Sequence, residues 1–381
     1  MTQLAPIQFH GEIQANRVKT PVSFKASIDD RGALRLNFDP IVPSEDVYRA
    51  MSGSLFVGER IEPALLSGMG PAGPSFSSDS LFFGSWQHEP DKLKFDANCA
   101  MADIRLQLEK PVARPRLTWH LRQFQALGPM QATTAVGHVG AQGLSLDADS
   151  QKLSGSLAIE AASADHHEHW WDDAERTIDH VARVLSFATG RHLEPYVESR
   201  AIGTDMYVRV WSRADAQPAL STPFYFLNLG PIFSAACSSE STCGAALKEL
   251  DAAVQWFAAP ATYIEMEFVA LMMAIESVLA RAKLKGRLKK KVRDYLSSRS
   301  IAVHDFPASA IDEMVDARNR VVHEGIYHDT SLGHQVDLLQ HIGVAREIVL
   351  RVLLSVIRFE GSYFSPLRRG QIKFPTFIGG G

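Results

Sequence analysis

The chain has 381 residues, 46% hydrophobic and 22% charged, which is enough for two packed cores of ordinary globular composition. Its formal charge of −4 is uneven: residues 1–240 hold 21 Lys and Arg against 28 Asp and Glu, while residues 241–381 hold 18 against 15, so an anionic partner would go to the C-terminal third. Cys99, Cys237 and Cys243 are too few and too scattered for a disulfide framework or a four-thiolate zinc site, and no run approaches the roughly 18 apolar residues that span a bilayer.

The opening "MTQLAPIQFHGEIQ" lacks a basic region followed by an apolar core, so a cytoplasmic protein with no membrane partner is expected. Residues 5 to about 160 read as β structure, with alternating runs at 22–28 (VSFKASI), 33–38 (ALRLNF), 103–108 (DIRLQL) and 116–121 (RLTWHL). Turn signals such as "DDRG", "GPAGPS" and "KPVARP" separate them, and no long helical period intervenes, which predicts an antiparallel sandwich or barrel. The period then changes: Ala174, Ile178, Val181, Leu185 and Ala188 recur at helical spacing over 170–190, with Gly190 as a stop. "HLEPYVESRAI" and "TDMYVRVW" return to alternation and close a first domain over residues 1–222.

Residues 223–381 read as helical, with breaks at Pro231, Pro260, Gly286 and Pro307. Helices are expected at 242–258, 262–283, 287–299, 308–324 and 333–359, the last burying Ile342, Ala345, Val349, Val352 and Val356. Short connections imply a compact antiparallel bundle, and the tail "FPTFIGGG" reads as frayed. The expected fold class is therefore α+β multidomain, a β-sandwich or barrel-like N-terminal domain followed by an all-α bundle.

The fourth of these helices carries "ARNRVVHEG", residues 317–325. At 100° per residue from Ile311, the residues Met314, Val315, Val321 and Val322 fall within about 80°, and Arg318 lands mid-stripe. A guanidinium on a buried stripe needs an acid or a wet crevice. Asn319 and His323, four residues apart, share the adjoining face. One account is structural: Arg318 pairs with a neighbouring helix, best with Glu276 on the flank of "FVALMMAIESVL", and His323 complements the helix end before Gly325 as cap. The other is chemical, since a cation can hold a phosphate and an imidazole with an unperturbed pKa of about 6.5 can take or give a proton.

Arg318-Asn319-x3-His323, set on a late helix after one carrying "ALMMAIESVL", resembles the signature of HEPN-domain ribonucleases. The order of domains and "VARVLSFATGR" (181–191) are similar to the ApeA-like group, and the C-terminal resemblance covers roughly residues 240–360. It implies an all-α HEPN-like bundle and a metal-independent endoribonuclease, without cofactor, active as a homodimer or higher oligomer with two motifs facing across a cleft. His323 would act on the 2′-hydroxyl as base or on the leaving 5′-oxygen as acid, and Arg318 would stabilise the scissile phosphate. Asn319 would orient the phosphate or the imidazole, Glu276 would position Arg318, and the product would be a 2′,3′-cyclic phosphate. Such an activity implies a toxin-like antiphage effector, checked by a sensory N-terminal domain whose trigger is phage-derived or a small molecule. Transfer RNA anticodon loops are a plausible substrate class, because they present unstacked 2′-hydroxyls.

"KLKGRLKKKVRD" packs seven basic residues into positions 283–293 beside that helix. As a phosphate-backbone track it would use Lys289, Lys290, Lys291 and Arg293, with Arg320 adding a cation inside the motif; as a plain charge run it is a solvated face. "DHHEHWWDD" (165–173) suggests a metal through Asp165, His169 and Asp173, but it lacks His-Glu-x-x-His spacing and reads better as a polar helix start. The glycines of "GSLFVG" and "GMGPAGPS" are turns, with no Gly-Lys-Ser/Thr following. Two alternatives stand: a catalytically silent module binding nucleotide, RNA or protein, and a metal-dependent hydrolase in the first domain.

Overall fold

The structure is a computed structural model that describes residues 4–375 apart from 16, 46, 49–62, 72, 123, 144–152, 166–167, 213–223, 225–227, 260, 262 and 325–331. The chain divides into two compact units, one of residues 1–125, 135–175 and 194–215, the other of residues 126–134, 176–193 and 216–381.

In the first unit, alternation sets the strands. β1 (Leu4–Ala15) and β2 (Val18–Ile28) form a hairpin whose connection ends on Arg17 at φ 65°. β3 (Leu34–Phe38) follows a turn in which Asp29 Oδ1 accepts from the backbone N–H of Arg31 and Ala33, both at 2.9 Å, as the "DDRG" signal predicts. Then come β4 (Ala64–Met69), β5 (Ser75–Glu89), β6 (Lys92–Cys99), β7 (Met101–Arg122), β8 (Met130–Thr133), which counts with the second unit, β9 (Gly137–Gln142), β10 (Leu153–Ala161) and β11 (Val197–Trp211). Buried residues recur at every second position, as Val22, Phe24, Ala26 and Ile28 in β2 and Leu93, Phe95, Ala97 and Cys99 in β6. Phe9, Phe24 and Phe76 centre the core, with ring centroids 5.4 Å (Phe9 to Phe24) and 5.1 Å (Phe24 to Phe76) apart. Gly11 is required where β1 meets β4, because a Cβ there would lie 1.8 Å from Ser67 O.

These strands do not form a sandwich. They make one eleven-stranded antiparallel sheet in the order β3-β2-β1-β4-β5-β7-β10-β9-β8, with β6 also on β5 and β11 also on β7. The cause is strand length. "DIRLQL" and "RLTWHL", expected as two strands with a turn at "KPVARP", belong to the single 22-residue β7. Its register with β11 slips between Gln107 and Arg116, where only Val112 is paired, so Pro111 and Pro115 withhold no ladder donor. A strand that long pairs with different neighbours at its two ends, and the sheet curls until Ile41 exchanges backbone hydrogen bonds with Leu93 at 3.0 and 2.8 Å.

The helices are α1 (Trp170–Thr189), α2 (Gly230–Glu249), α3 (Asp251–Phe257), α4 (Ile264–Arg281), α5 (Leu288–Ser298), α6 (Ala310–Glu324) and α7 (Leu332–Val356). Residues 176–193, which include most of α1, count with the second unit. Pro231 does not break the chain: it stands in the first turn of α2, where a missing N–H leaves nothing unsatisfied. Lys283 at φ 51° and Gly286 at φ 115° separate α4 from α5. α4 packs on α3, α6 and α7, and α7 buries Ile342, Ala345, Val349 and Val352 as expected, with Val356 half-buried.

The expected all-α C-terminal bundle is overturned by the strands that accompany these helices. α7 stops at Val356, and β12 (Gly361–Ser365) pairs antiparallel with β13 (Gly370–Phe374) in a domain expected to hold helices alone. The reason lies on α7, whose inner face carries Glu347 and Arg351, both wholly buried. Arg351 is bonded by both Asp305 oxygens at 2.9 and 2.5 Å, by Glu347 at 2.8 Å and by Ala302 O at 2.5 Å. The hairpin supplies the remaining donors to Glu347, the hydroxyls of Tyr363 and, at 2.7 Å, Ser365. Buried charges demand such partners, so β12 docks on α7. Residues 376–381 and the expected breaks or caps at Pro260 and Gly325 lie outside the described residues.

Candidate functional site

α6 presents Ile311, Met314, Val315, Ala317 and Val321 to the interior, and Arg318 falls on the same stripe. The pair foreseen for it is present. Its Nε and Nη2 donate to Oε1 of Glu276, on α4, at 3.0 and 2.9 Å, and its Nη1 donates to Oδ1 of Asn319 at 3.4 Å. The side chains of Arg318 and Glu276 remain 24% and 33% exposed, so the pair is a partly hydrated rim contact rather than a sealed one. Val322, placed on the buried stripe by the helical period, is 49% exposed. The period gives a direction, while cover depends on how far neighbouring helices reach, and the last turn of α6 leaves Val322 uncovered.

Asn319 and His323 are exposed on the face beside Arg318, and His323 makes no hydrogen bond to a described residue. Asp312 and Asp316 precede them on that face by helical spacing. These acids hold part of the basic run: Lys289 Nζ is 2.8 Å from Asp316 and Arg293 Nη2 is 2.8 Å from Asp312. Residues 289, 293 on α5 and 312, 316 on α6 are each four apart, so two rungs lay α5 along the helix that carries the motif. Lys290 is exposed and Lys291 half-buried, neither in an ion pair with a described residue. Arg320 is exposed, and its charge opposes protonation of His341 on α7, whose pKa burial already lowers. The arrangement therefore offers a fixed guanidinium, an amide and an accessible imidazole on α6, with Lys290 and Lys291 on the neighbouring α5.

Among the described residues no group of three or more His, Cys, Asp or Glu is placed to hold a metal ion, and His166 and His167 of "DHHEHWWDD" lie outside them. No described helix is long and apolar enough to cross a membrane. The three cysteines are buried free thiols; burial pushes Cys99 up to about 11 and Cys237 to about 12.

Sequence reasoning missed the Arg351 cluster. Burial raises the Asp305 carboxyl and Arg351 overcomes that, holding it below the usual carboxylate range. A second buried pair, Arg346 to Glu267 at 2.6 Å, leaves Nε and Nη1 of Arg346 without partners. The signal was legible: Arg346, Glu347 and Arg351 interrupt an otherwise apolar run on α7.

Comparison of the chain with models of known protein families, with curated proteins and with solved structures gave no match in any of the three.

Proposed function

We propose that the chain is a metal-independent endoribonuclease that cleaves RNA by 2′-hydroxyl attack and leaves a 2′,3′-cyclic phosphate, serving as a toxin-like effector of antiphage defence. The observation that carries this reading is Arg318, fixed by Glu276 and touching Asn319, on the helix that exposes His323 one turn beyond Asn319. A guanidinium already fixed in place suits the charge developing on a phosphate, because it needs no reorganisation when that charge appears. His323 removes the 2′-proton or protonates the 5′-oxygen. Met273 and Val322, 39% and 49% exposed, give the neighbourhood an apolar surface that a second copy would cover, bringing two imidazoles to one strand. Lys290 and Lys291 hold the backbone without reading sequence. A phage-derived component or a small molecule, sensed by the N-terminal unit, relieves inhibition of the nuclease.

The test is incubation of purified protein with total RNA under EDTA, followed by inspection of 3′ ends. Cleavage leaving cyclic phosphates that disappears in His323→Ala supports the reading. Undiminished cleavage in both His323→Ala and Arg318→Ala removes these residues from the mechanism. The second reading, a silent module that binds RNA or nucleotide, is favoured by one observation: Glu276 and Asn319 already engage all three guanidinium nitrogens of Arg318. It predicts RNA retention without new 3′ ends.

A further inference from the structure

The first unit carries a groove of about 550 Å³ that the ribonuclease reading does not use. It opens on the face of the sheet opposite the phenylalanine core. The register places Tyr207 opposite Arg105 and Arg209 opposite Asp103 between β11 and β7, with Ser75 and Ser77 of β5 opposite Arg105 and Asp103. Arg200, Glu198 and Trp171 also line it, over a floor that includes Ile104 and Val208. That volume lies within the roughly 300–1,000 Å³ of small-molecule sites.

Each arginine is held on one edge. Arg209 gives Nε and Nη2 to Asp103 at 2.7 and 3.1 Å, and Arg105 gives Nε and Nη2 to Asp205 at 3.3 and 3.0 Å. Arg200 bonds Glu198 at 2.8 Å and also Glu175, while Glu198, nearly buried, takes Trp119 Nε1 at 3.0 Å. In all three the remaining Nη1 has no partner among the described residues. The hydroxyls of Ser75, Ser77 and Tyr207 are likewise without one. The groove thus presents fixed donors with their acceptors already engaged, and it adds two aromatic surfaces, Tyr207 under Arg105 at 5.3 Å and Trp171 under Arg200 at 5.9 Å.

We propose that this groove binds a small phosphorylated nucleoside, a flat heteroaromatic ring carrying one phosphate. Donor edges take phosphate and ring carbonyl oxygens, and the aromatic residues take the base. The unengaged Nη1 donors, rather than net charge, hold the phosphate. Three guanidinium groups face four carboxylates, Asp103, Asp205, Glu175 and Glu198, so a polyphosphate meets no excess of positive charge. Guanidinium groups preordered by carboxylates lose little freedom on binding.

Titration calorimetry of the full chain with AMP, UMP, adenosine and inorganic phosphate tests the proposal. A mononucleotide binds in the micromolar range, and adenosine and phosphate bind at least tenfold more weakly. Arg209→Gln and Tyr207→Leu each weaken it at least tenfold with a melting temperature within about 4 °C of the native one, and His323→Ala leaves it intact, so the groove and the ribonuclease reading fail separately. Absence of mononucleotide heat at millimolar concentration, or affinity unchanged in both groove variants, overturns the proposal. Inorganic phosphate binding as tightly as AMP overturns the role of the ring. A 5′-phosphorylated decaribonucleotide displacing AMP with higher affinity overturns the free mononucleotide as occupant.

Discussion

Arg318→Ala separates the two roles this side chain could have, because they differ in magnitude. As a structural pair, Arg318 makes two bonds to one oxygen of Glu276 at a site 24% and 33% exposed, and water can rehydrate the stranded carboxylate. The cost is then about 1 kcal/mol, which moves the melting temperature by about 2–4 °C in a unit of this size. As an electrostatic group in phosphate transfer, its removal costs roughly 3–4 kcal/mol of barrier, about 10²–10³ in rate. The assay is paired: thermal melting of the purified variant, and single-turnover cleavage of RNA under EDTA at a temperature about 15 °C below the midpoint. The expected result is a shift of a few degrees with at least 100-fold slower cleavage. A variant that melts as expected and cleaves within tenfold of the native chain refutes the catalytic assignment.

Glu276→Gln retains an acceptor for Arg318 but loses its charge, so cleavage falls less than in Arg318→Ala and melting shifts by only a degree or two; equal losses would make Glu276 more than a positioning residue. Replacing Lys290 and Lys291 by Gln flattens the salt dependence of RNA binding by roughly one to two unit slopes, whereas Lys289→Gln, already engaged by Asp316, changes it less; an equal effect would mean the Asp316 bond opens on binding. Tyr363→Phe takes one hydroxyl from buried Glu347 and costs about 1–3 kcal/mol in urea unfolding, a value that would fall to zero if water replaced the bond. Burial pushes His180 down to about 4 with its Nδ1 unpartnered, so the unfolded chain, with a pKa of about 6.5, binds the proton first as pH falls. Stability is full above pH 6.5 and declines by about 3 kcal/mol toward pH 4; urea midpoints of His180→Gln that fall as steeply as the native ones would discard this residue as the cause.

Most faces, and the Arg318–Glu276 pair, were legible in the sequence; the exposure of Val322, the other partners and the extents of elements were not. Period two in the runs 22–28 and 103–108 put Phe24 and Ile104 on one face of their strands, and both are buried, because successive side chains on a strand must alternate. Period 3.6 put Arg318 on the buried stripe of α6, and the cost of an unpaired buried cation directed attention to Glu276. Other decisions depended on residues far apart in the chain. Whether Pro111 and Pro115 end a strand depended on which donors β11 needs, and the register there needs neither. Whether residues after Val356 form strands depended on Glu347 and Arg351, whose burial recruits Tyr363 and Ser365. The two-rung attachment of α5 to α6 engaged Lys289 and Arg293 of the basic run, which its composition could not show.

The groove follows the same division. Alternation alone sets Asp103 and Arg105, and Tyr207 and Arg209, on the strand faces away from the core, yet only the antiparallel register brings them together. The sequence by itself determined which side chains face inward and which outward, since that follows from the fixed geometry of each local element. The tertiary structure decided which of them meet, because long-range pairing, burial and the reach of neighbouring elements are set by the rest of the chain.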